Sequence, residues 1–514
     1  MVEKASTRLR KIGNSAGLAV AAVACCSLVY GQTTSLNSAP SSFNSSTSLF
    51  SSSSSSLFSA GGTGSSSSLG PQGGTNVGTT QNPFLGSVPQ KPLPGNYPLK
   101  LRDAIDRGLK FNLGLLLSGE GERQARGARL NTLSELLPNV TTRTTETVEQ
   151  VNLAAFGLPS IPGVRPIVGP FGVFDARGFV TQRVVDLPAI FNLRARSENV
   201  NAARYTYQDA RELVVLVVGG TYLQAIAGAA RIEAIRSQLA TAGALFRQAN
   251  DMRKAGVSAG IDVLRTQVEM QSQQQRLLAA QNEFNKQKLA VARTIGFPPG
   301  QQFELTDKIP FSASPQITLE DALARAYGAR SDVRSAEALL HAAENVKRSA
   351  SGEALPSLKV NADYGVLGNN PGNSHGTFTT AATLEIPIFQ GGKVHADVLQ
   401  ADALLQQRRA QLSDLRGRVD MEVRSAFLDL NSAAEQVAVA QSTVGLAQEQ
   451  LTQARDRFAA GVADTIEVVQ AQEAVATANE NYIASVFGHN VAKLSLARAV
   501  GVAEKGSKEY LGDR

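Results

Sequence analysis

The sequence predicts a mainly α chain with a small β part, built by duplication. Two long-helix coiled-coil hairpins are each led by a pair of strands. Three observations carry this. Leu430, Val437, Val444, Leu451 and Phe458 recur at intervals of seven, and Ala433, Ala440, Ala447 and Ala454 follow the first four by three residues. Large then small at seven-residue spacing is the seam of a coiled coil. Ordered sequence pairs recur at near-constant offset along the chain. Two segments in each half alternate with period two, as strands do.

The bulk composition suits such a chain. Of 514 residues, 43% are apolar and 6% aromatic, with no tryptophan. This favours long alanine-rich helices over compact cores. The net charge is +6, but basic and acidic residues are interspersed. There is no basic stripe interleaved with aromatics, which argues against nucleic acid as a partner.

Residues 1–31 read as a signal peptide. Lys4, Arg8, Arg10 and Lys11 precede an apolar run from Leu18 to Tyr30 that is too short to span a bilayer. Cleavage after Gly31 fits better than a lipoprotein signal ending at Cys25, because Ala22 stands where such signals usually carry leucine. Cys25 and Cys26 are the chain's only cysteines, so the mature chain is expected to hold no disulfide. Gly13 to Gly17 formally match a serine-hydrolase elbow, but they lie in the leader and not between a strand and a helix. Residues 32–96, rich in serine and glycine, are expected to form a disordered linker, since they cannot bury enough apolar surface to offset their ordering entropy.

The first repeat is expected over residues 97–310 and the second over 311–502, followed by a polar tail, 503–514. LRDAIDRG at Leu101 matches LEDALARA at Leu319, and LPNV at Leu137 matches LPSL at Leu355. KAGVSAGIDVL at Lys254 matches AAGVADTIEVV at Ala459, and ARTIG at Ala292 matches ARAVG at Ala497. Each half runs from a short amphipathic helix to a second helix, then a strand pair (residues 140–187 and 358–388), then a long helical hairpin (residues 189–296 and 391–500). Thr318 with Asp321 gives the second copy a capping-box start.

The strand pairs point to a membrane. In the second half, Leu358, Val360, Ala362, Tyr364 and Val366 share one face, and Lys359, Asn361, Asp363 and Gly365 the other. Phe378, Ala382, Leu384, Ile386 and Ile388 continue the apolar row in the next segment. Such alternation suits a strand with lipid on one side and water on the other. The first-half strands, Val140 to Leu153 and Gly178 to Leu187, are more polar, and their connection carries Pro159, Pro162, Pro166 and Pro170. Four strands cannot close a barrel, and open edges are not tolerated in lipid. An oligomer must close it, and three chains would supply twelve strands.

The hairpins follow the strands. No proline occurs after Pro387, so the second hairpin can run unbroken, on the order of 100 Å per long helix at about 1.5 Å per residue. In the first half, Val263, Met270, Leu277, Phe284 and Val291 repeat at seven, opposite Ile232, Leu239 and Phe246.

With these elements in place, the chain resembles the TolC-type outer-membrane efflux protein family, or outer membrane factors, from Tyr97 to about Val502. The most specific parts are the duplicated order, IPIFQGG (Ile386 to Gly392) and RFAAGVADTIEVVQAQ (Arg457 to Gln472). The resemblance implies a homotrimer with a twelve-stranded barrel in the Gram-negative outer membrane and a helical barrel in the periplasm. It also implies a periplasmic adaptor and an inner-membrane pump as partners. Carried onto matching positions, it places adaptor contact at Gly256 and Gly461. It places the pore entrance at Asp262 and Glu467, with Gln470 where the family has a second acid. Both acids also read as helix-start stabilisers, since acids favour helix N-termini.

The residues offer no catalytic or metal site. His341, His375, His395 and His489 lie far apart without ligand spacing. No glycine-rich stretch sits between a strand and a helix. The expectation is a non-enzymatic exit channel without cofactor, serving efflux or type I secretion. The alternative from another class is a periplasmic coiled-coil scaffold or adaptor without a membrane barrel.

Overall fold

The computed structural model describes residues 82–92, 94–156, 165–307 and 317–506; the expected signal peptide and most of the expected linker lie outside them. The first half comprises β1 (Tyr97–Leu99), α1 (Leu101–Phe111), α2 (Leu113–Ser134), β2 (Asn139–Asn152), β3 (Ile167–Val185), α3 (Leu187–Lys254), α4 (Gly260–Ile295) and β4 (Phe303–Leu305). The second comprises α5 (Leu319–Ala329), α6 (Ser331–Gly352), β5 (Ser357–Gly368), β6 (Ser374–Glu385), α7 (Lys393–Ala459) and α8 (Thr465–Val500). The long helices have 68 and 67 residues, and their return helices have 36 each.

Four strands form one sheet in the order β2-β3-β5-β6, with every neighbour antiparallel. Residues opposite each other in such a ladder share a face. One face carries Val140, Val180, Ala362 and Thr380 in one cross-row, with Tyr364 beside Phe378 and Leu358 beside Leu384 in others. The other carries Arg143, Arg177 and Gly365, then Asp363 and Thr379. β3 starts at Ile167, eleven residues before the expected Gly178. Pro170, expected in the connecting loop, stands in the strand beside Gly169, whose φ is 113°, where the pairing with β2 slips between Glu149 and Val151. A proline is tolerated at such a bulge. β6 ends at Glu385, short of the expected Ile388. The sequence also gave no sign of β1 and β4, which form a separate parallel pair. Three residues are too few for an alternation to register.

The main core forms where β1, α1, β4 and the middle of α3 meet. Val214, Val215, Val218, Tyr222 and Ile226 pack with Leu99, Ile105, Phe297 and Phe303. α3 has an apolar window long enough to cross a membrane, but two-thirds of that window is buried inside the protein, and this core is the reason. Tyr222 Oη lies 2.8 Å from the Leu99 carbonyl and 2.9 Å from Asp307 Oδ2. The same carboxylate oxygen accepts the Leu101 N–H at the start of α1.

Two stretches expected outside the fold belong to it. Residues 82–92 were read as linker, yet Phe84 is buried against α2, and Asn112 Nδ2 donates to its carbonyl. Gly114 leaves the space for that ring, since a Cβ there would fall 2.5 Å from Phe84 Cδ1. At the other end, Ala503 is buried, and Glu504 forms an ion pair with Arg211 of α3. One aromatic ring and one carboxylate anchor these stretches, and both are too isolated to register in composition.

Short helices pack on long ones in the same way in both halves. Arg129 Nε of α2 donates to Ser197 Oγ of α3 at 3.0 Å, and Lys347 Nζ of α6 donates to Asp402 Oδ1 of α7 at 2.7 Å. The short-helix partners are 218 apart in sequence and the long-helix partners 205 apart. Along α7 the seam buries Leu412, Val419, Leu430, Val437, Ala440, Ala447, Ala454 and Phe458, while Val444 and Leu451 are half-buried.

α8 places a lysine inside the bundle. Lys493 and His489 are buried. Burial pulls the Lys493 ammonium down to about 8, and burial together with the Lys493 charge pulls His489 down to about 4. An unfolded lysine titrates near 10.4, so between about pH 8 and 10 the unfolded chain binds the extra proton and stability rises with pH. Lys493→Met is expected to remove that rise, as read from denaturation midpoints across pH 7–11 in detergent.

Candidate functional site: the hairpin tips and the sheet

Both tips are built on the same glycine turn. Gly256 has φ 75° and Gly461 φ 73°. At the first tip, the Val257 N–H donates to the Met252 carbonyl (2.9 Å) and the Gly256 N–H to Arg253 (3.0 Å). At the second, the Val462 N–H donates to Arg457 (3.0 Å) and the Gly461 N–H to Phe458 (3.0 Å). This is the Schellman arrangement, whose turning residue must be left-handed, which explains glycine at both positions. Nothing lies within 4 Å of a Cβ built on either glycine. The valine following each glycine is 72% exposed in both tips. Sequence reasoning passed over Val257 and Val462, although each stands one residue past its glycine in the matched stretches.

The charged candidates occupy the helix starts just past the turns. Asp262 lies in the first turn of α4, where Ser258 Oγ donates to its Oδ2 at 3.0 Å and Arg265 approaches to 3.5 Å. Glu467 lies in the first turn of α8 and pairs with Arg457 Nε at 3.5 Å, across the turn. Asp464 Oδ1 accepts the N–H groups of Ile466 (3.0 Å) and Glu467 (3.2 Å), capping α8. Gln470 is exposed. Near the tips the hairpins lie side by side, with Leu245 of α3 clustered with Ala454, Phe458, Val468 and Ala471. Higher up, the space between them is an open cavity of about 990 Å³ with a mixed lining, Glu233, Glu269, Gln273 and Arg455 standing beside Ile226, Val475 and Ile483.

The polar face of the sheet is knit by charge. Arg177 pairs with Asp175 on its own strand and reaches Asp363 Oδ1 of β5 at 3.1 Å. Arg177 and Arg143 both stand over the Phe179 ring. The sequence showed these as polar positions on one face but could not show which of them pair. On the opposite face Tyr364, Phe378 and Leu384 are exposed. Among the described residues no cluster of histidine, cysteine and acidic side chains could hold a metal ion.

Open strand edges, one apolar and one polar sheet face, and two hairpins whose long helices have 68 and 67 residues suit a membrane channel subunit with a long helical extension. Residues 322–502 match the family described as outer membrane efflux protein. The outer membrane protein TolC of Vibrio cholerae serotype O1 is 21% identical over 319 residues, which are 60% of this chain and 72% of that protein. The alkaline protease secretion protein AprF of Pseudomonas aeruginosa is 23% identical over 315 residues, 59% of this chain and 64% of its own length. The Campylobacter jejuni CmeC outer membrane channel superposes with a TM-score of 0.66 at 16% identity, covering 86% of this chain and 97% of CmeC. The chain is similar to the TolC-type outer membrane efflux proteins, through the family match over residues 322–502 and through these relatives. It is an outer-membrane channel protein of the efflux and type I secretion class, with its helical part in the periplasm. This sets aside the barrel-free scaffold.

An alanine in left-handed backbone costs roughly 1 kcal/mol or more. Gly256→Ala and Gly461→Ala are therefore expected to speed amide exchange over residues 252–262 and 457–467, leaving exchange in the α3 core unchanged.

Proposed function

We propose that three copies close into a passive exit duct, with the β-sheets joined into a twelve-stranded barrel and the hairpins into a periplasmic tunnel. The observation that carries this reading is the pair of open edges, β2 and β6, on a sheet with one apolar face. Each edge can be satisfied by the opposite edge of another copy, so the same contact repeats until a ring closes. Exposed apolar residues on the helices support this. Ile261 and Val268 on α4, Met421 and Leu428 on α7, and Val439 and Leu446 further along α7 are each seven apart and exposed. A seam that no helix of its own chain covers fits a helix of a neighbour.

In this reading a periplasmic adaptor meets the tips at Gly256 and Gly461, and an inner-membrane pump supplies the energy. The family is one of channel proteins, and this chain brings no catalytic step and no cofactor of its own. Its open tip glycines and exposed Val257 and Val462 offer backbone and apolar surface to an incoming helical hairpin. Asp262 and Glu467, with Gln470 a turn further on, stand at the pore entrance. The Arg457–Glu467 pair joins the end of α7 to the start of α8 there, so separating those elements costs an ion pair. Selection of cargo belongs to the pump.

Leu384→Arg puts a charge on the apolar face, costing about 2–4 kcal/mol near the bilayer midplane. Thr379→Arg puts the same charge opposite Asp363 on the polar face. Heat-resistant trimers on detergent gels are expected to be lost with Leu384→Arg and kept with Thr379→Arg; equal yields would show that the faces are misassigned.

The docking role is tested by Gly461→Trp. Export is expected to cease while trimer yield and heat stability stay normal. A lost trimer, or intact export, would leave Gly461 with the turn alone.

A further inference from the structure

The cavity between the two hairpins contains polar atoms that the protein does not pair. It lies between two apolar contacts of the hairpins. On the tip side, Leu245 of α3 meets Ala454, Phe458, Val468 and Ala471. On the far side, Leu223 of α3 packs on Leu494 of α8. The lining stretches of α3 (residues 226–241) and α8 (residues 472–486) fall between those contacts. Ion pairs tie the hairpins over the same span. Arg231 Nε of α3 donates to Glu480 Oε2 of α8 at 2.8 Å, and Arg276 of α4 approaches Glu473 of α8 at 3.7 Å. The space of about 990 Å³ is therefore held open by packing and charge on its borders.

Two glutamines line it from opposite hairpins. Gln273 of α4 is 2% exposed, and its Nε2 donates to Glu269 Oε1 at 2.8 Å. That bond orients the amide and leaves Gln273 Oε1 without a donor among the described residues. Gln472 of α8 is 7% exposed, and neither of its amide atoms has a partner there. Buried amides are costly to leave unpaired, so these three atoms point to an occupant of the space.

The lining says what kind of occupant fits. Three carboxylates border the cavity, Glu233, Glu269 and Asp307, against one guanidinium, Arg455. Asp307 is already engaged by Tyr222 Oη and the Leu101 N–H. Glu233 and Glu269 remain, with the two amide oxygens, as acceptors facing a wall of Ile226, Val475 and Ile483. Water can serve the amides, but it neutralises no carboxylate and gains nothing from an apolar wall. An anion would meet Arg455 and be repelled by both glutamates.

We infer that this cavity is a binding site for an amphipathic organic ammonium ion. Its N–H groups donate to the unpaired amide oxygens and to Glu269, and its apolar body lies against the aliphatic wall. The site draws on both hairpins of one chain, so it does not rest on ring closure. It also gives the duct a chemistry of its own, because an occupant bridges the hairpins and stabilises their pairing.

The test titrates dansylcadaverine, a primary ammonium on an apolar fluorophore, into the full chain in lipid nanodiscs, with empty nanodiscs as background. Its N-acetylated neutral form and a dansylated aminohexanoate are the comparison probes. Saturable binding and a raised melting midpoint are expected for the ammonium alone. Glu269→Gln keeps the shape and drops the charge, and is expected to weaken binding about tenfold. Gln472→Leu is expected to weaken binding too, while the melting midpoint without probe holds or rises, since an unpaired buried amide has gone. Equal binding of the neutral probe overturns the choice of a cation. An affinity unchanged in both variants overturns the location, and if one variant does not fold the other decides. No saturable binding by the wild type leaves the cavity to water and overturns the site.

Discussion

A strand in hydrocarbon has no water to satisfy its backbone, so every N–H and carbonyl must find a partner in protein. The rest of the structure depends on this constraint. β2 and β6 have 14 and 12 residues and each pairs along one edge only, so a lone chain in the bilayer would leave two rows of polar groups bare. Sheet closure therefore fixes an assembly, and the assembly fixes which helix faces stay apolar. The exposed seams on α4 and α7 would be a liability in a monomer. Around a ring they are the next coiled-coil contacts.

The duplication keeps these contacts in phase, and the spacing shows how. Phe191, in the first turns of α3, and Phe389, in the loop before α7, are 198 apart, while Gly256 and Gly461 at the tips are 205 apart. The difference is one heptad. The seven extra residues lie before α7 begins, so the two long helices keep nearly equal lengths of 68 and 67 residues. They fall where the halves differ in joining strand to helix. β3 passes into α3 almost directly, with Asp186 capping at Ala189 N–H. β6 is followed by a loop through Gly391 and Gly392, both at positive φ, before α7 begins. Ile388 and Phe389, in that loop, stand exposed. Their first-half counterparts lie beside Pro188, which is held against α6.

What could be read in the sequence was what repeats. Heptads, period-two rows and matched glycines each give several residues that agree, and all of these led to correct elements. Single contacts did not show. Phe84 anchors residues 82–92 through one ring in one glycine notch. Buried Arg330 joins Asp332 beside it to Glu422 of α7 and the Ala499 carbonyl of α8. Neither arrangement has a period. Pro170 misled for the opposite reason. Its local signal was clear, but the bulge that accommodates it is a property of the pairing with β2. At the tips the glycines were legible as a pair. The pairing of Glu467 with Arg457 was not, because it crosses a turn whose geometry the sequence does not state.

The two hairpins are packed by different chemistry, and this bears on how the duct could open. The small positions along α8 are Ala471, Ala478, Ser485 and Ala492, which let α7 approach closely. The matching positions of α4 are Thr266, Gln273, Ala280 and Gln287. Gln287 reaches into a notch at Gly228 of α3, where a Cβ would fall 2.2 Å from its Oε1. The Oε1 atoms of Gln273 and Gln287 are buried without a protein donor. Parting α3 from α4 would expose amides that water can serve, which offsets part of the cost. Parting α7 from α8 would expose methyl groups and the Phe458 ring, together with the buried polar atoms of Thr465 and Gln472, which water could likewise serve.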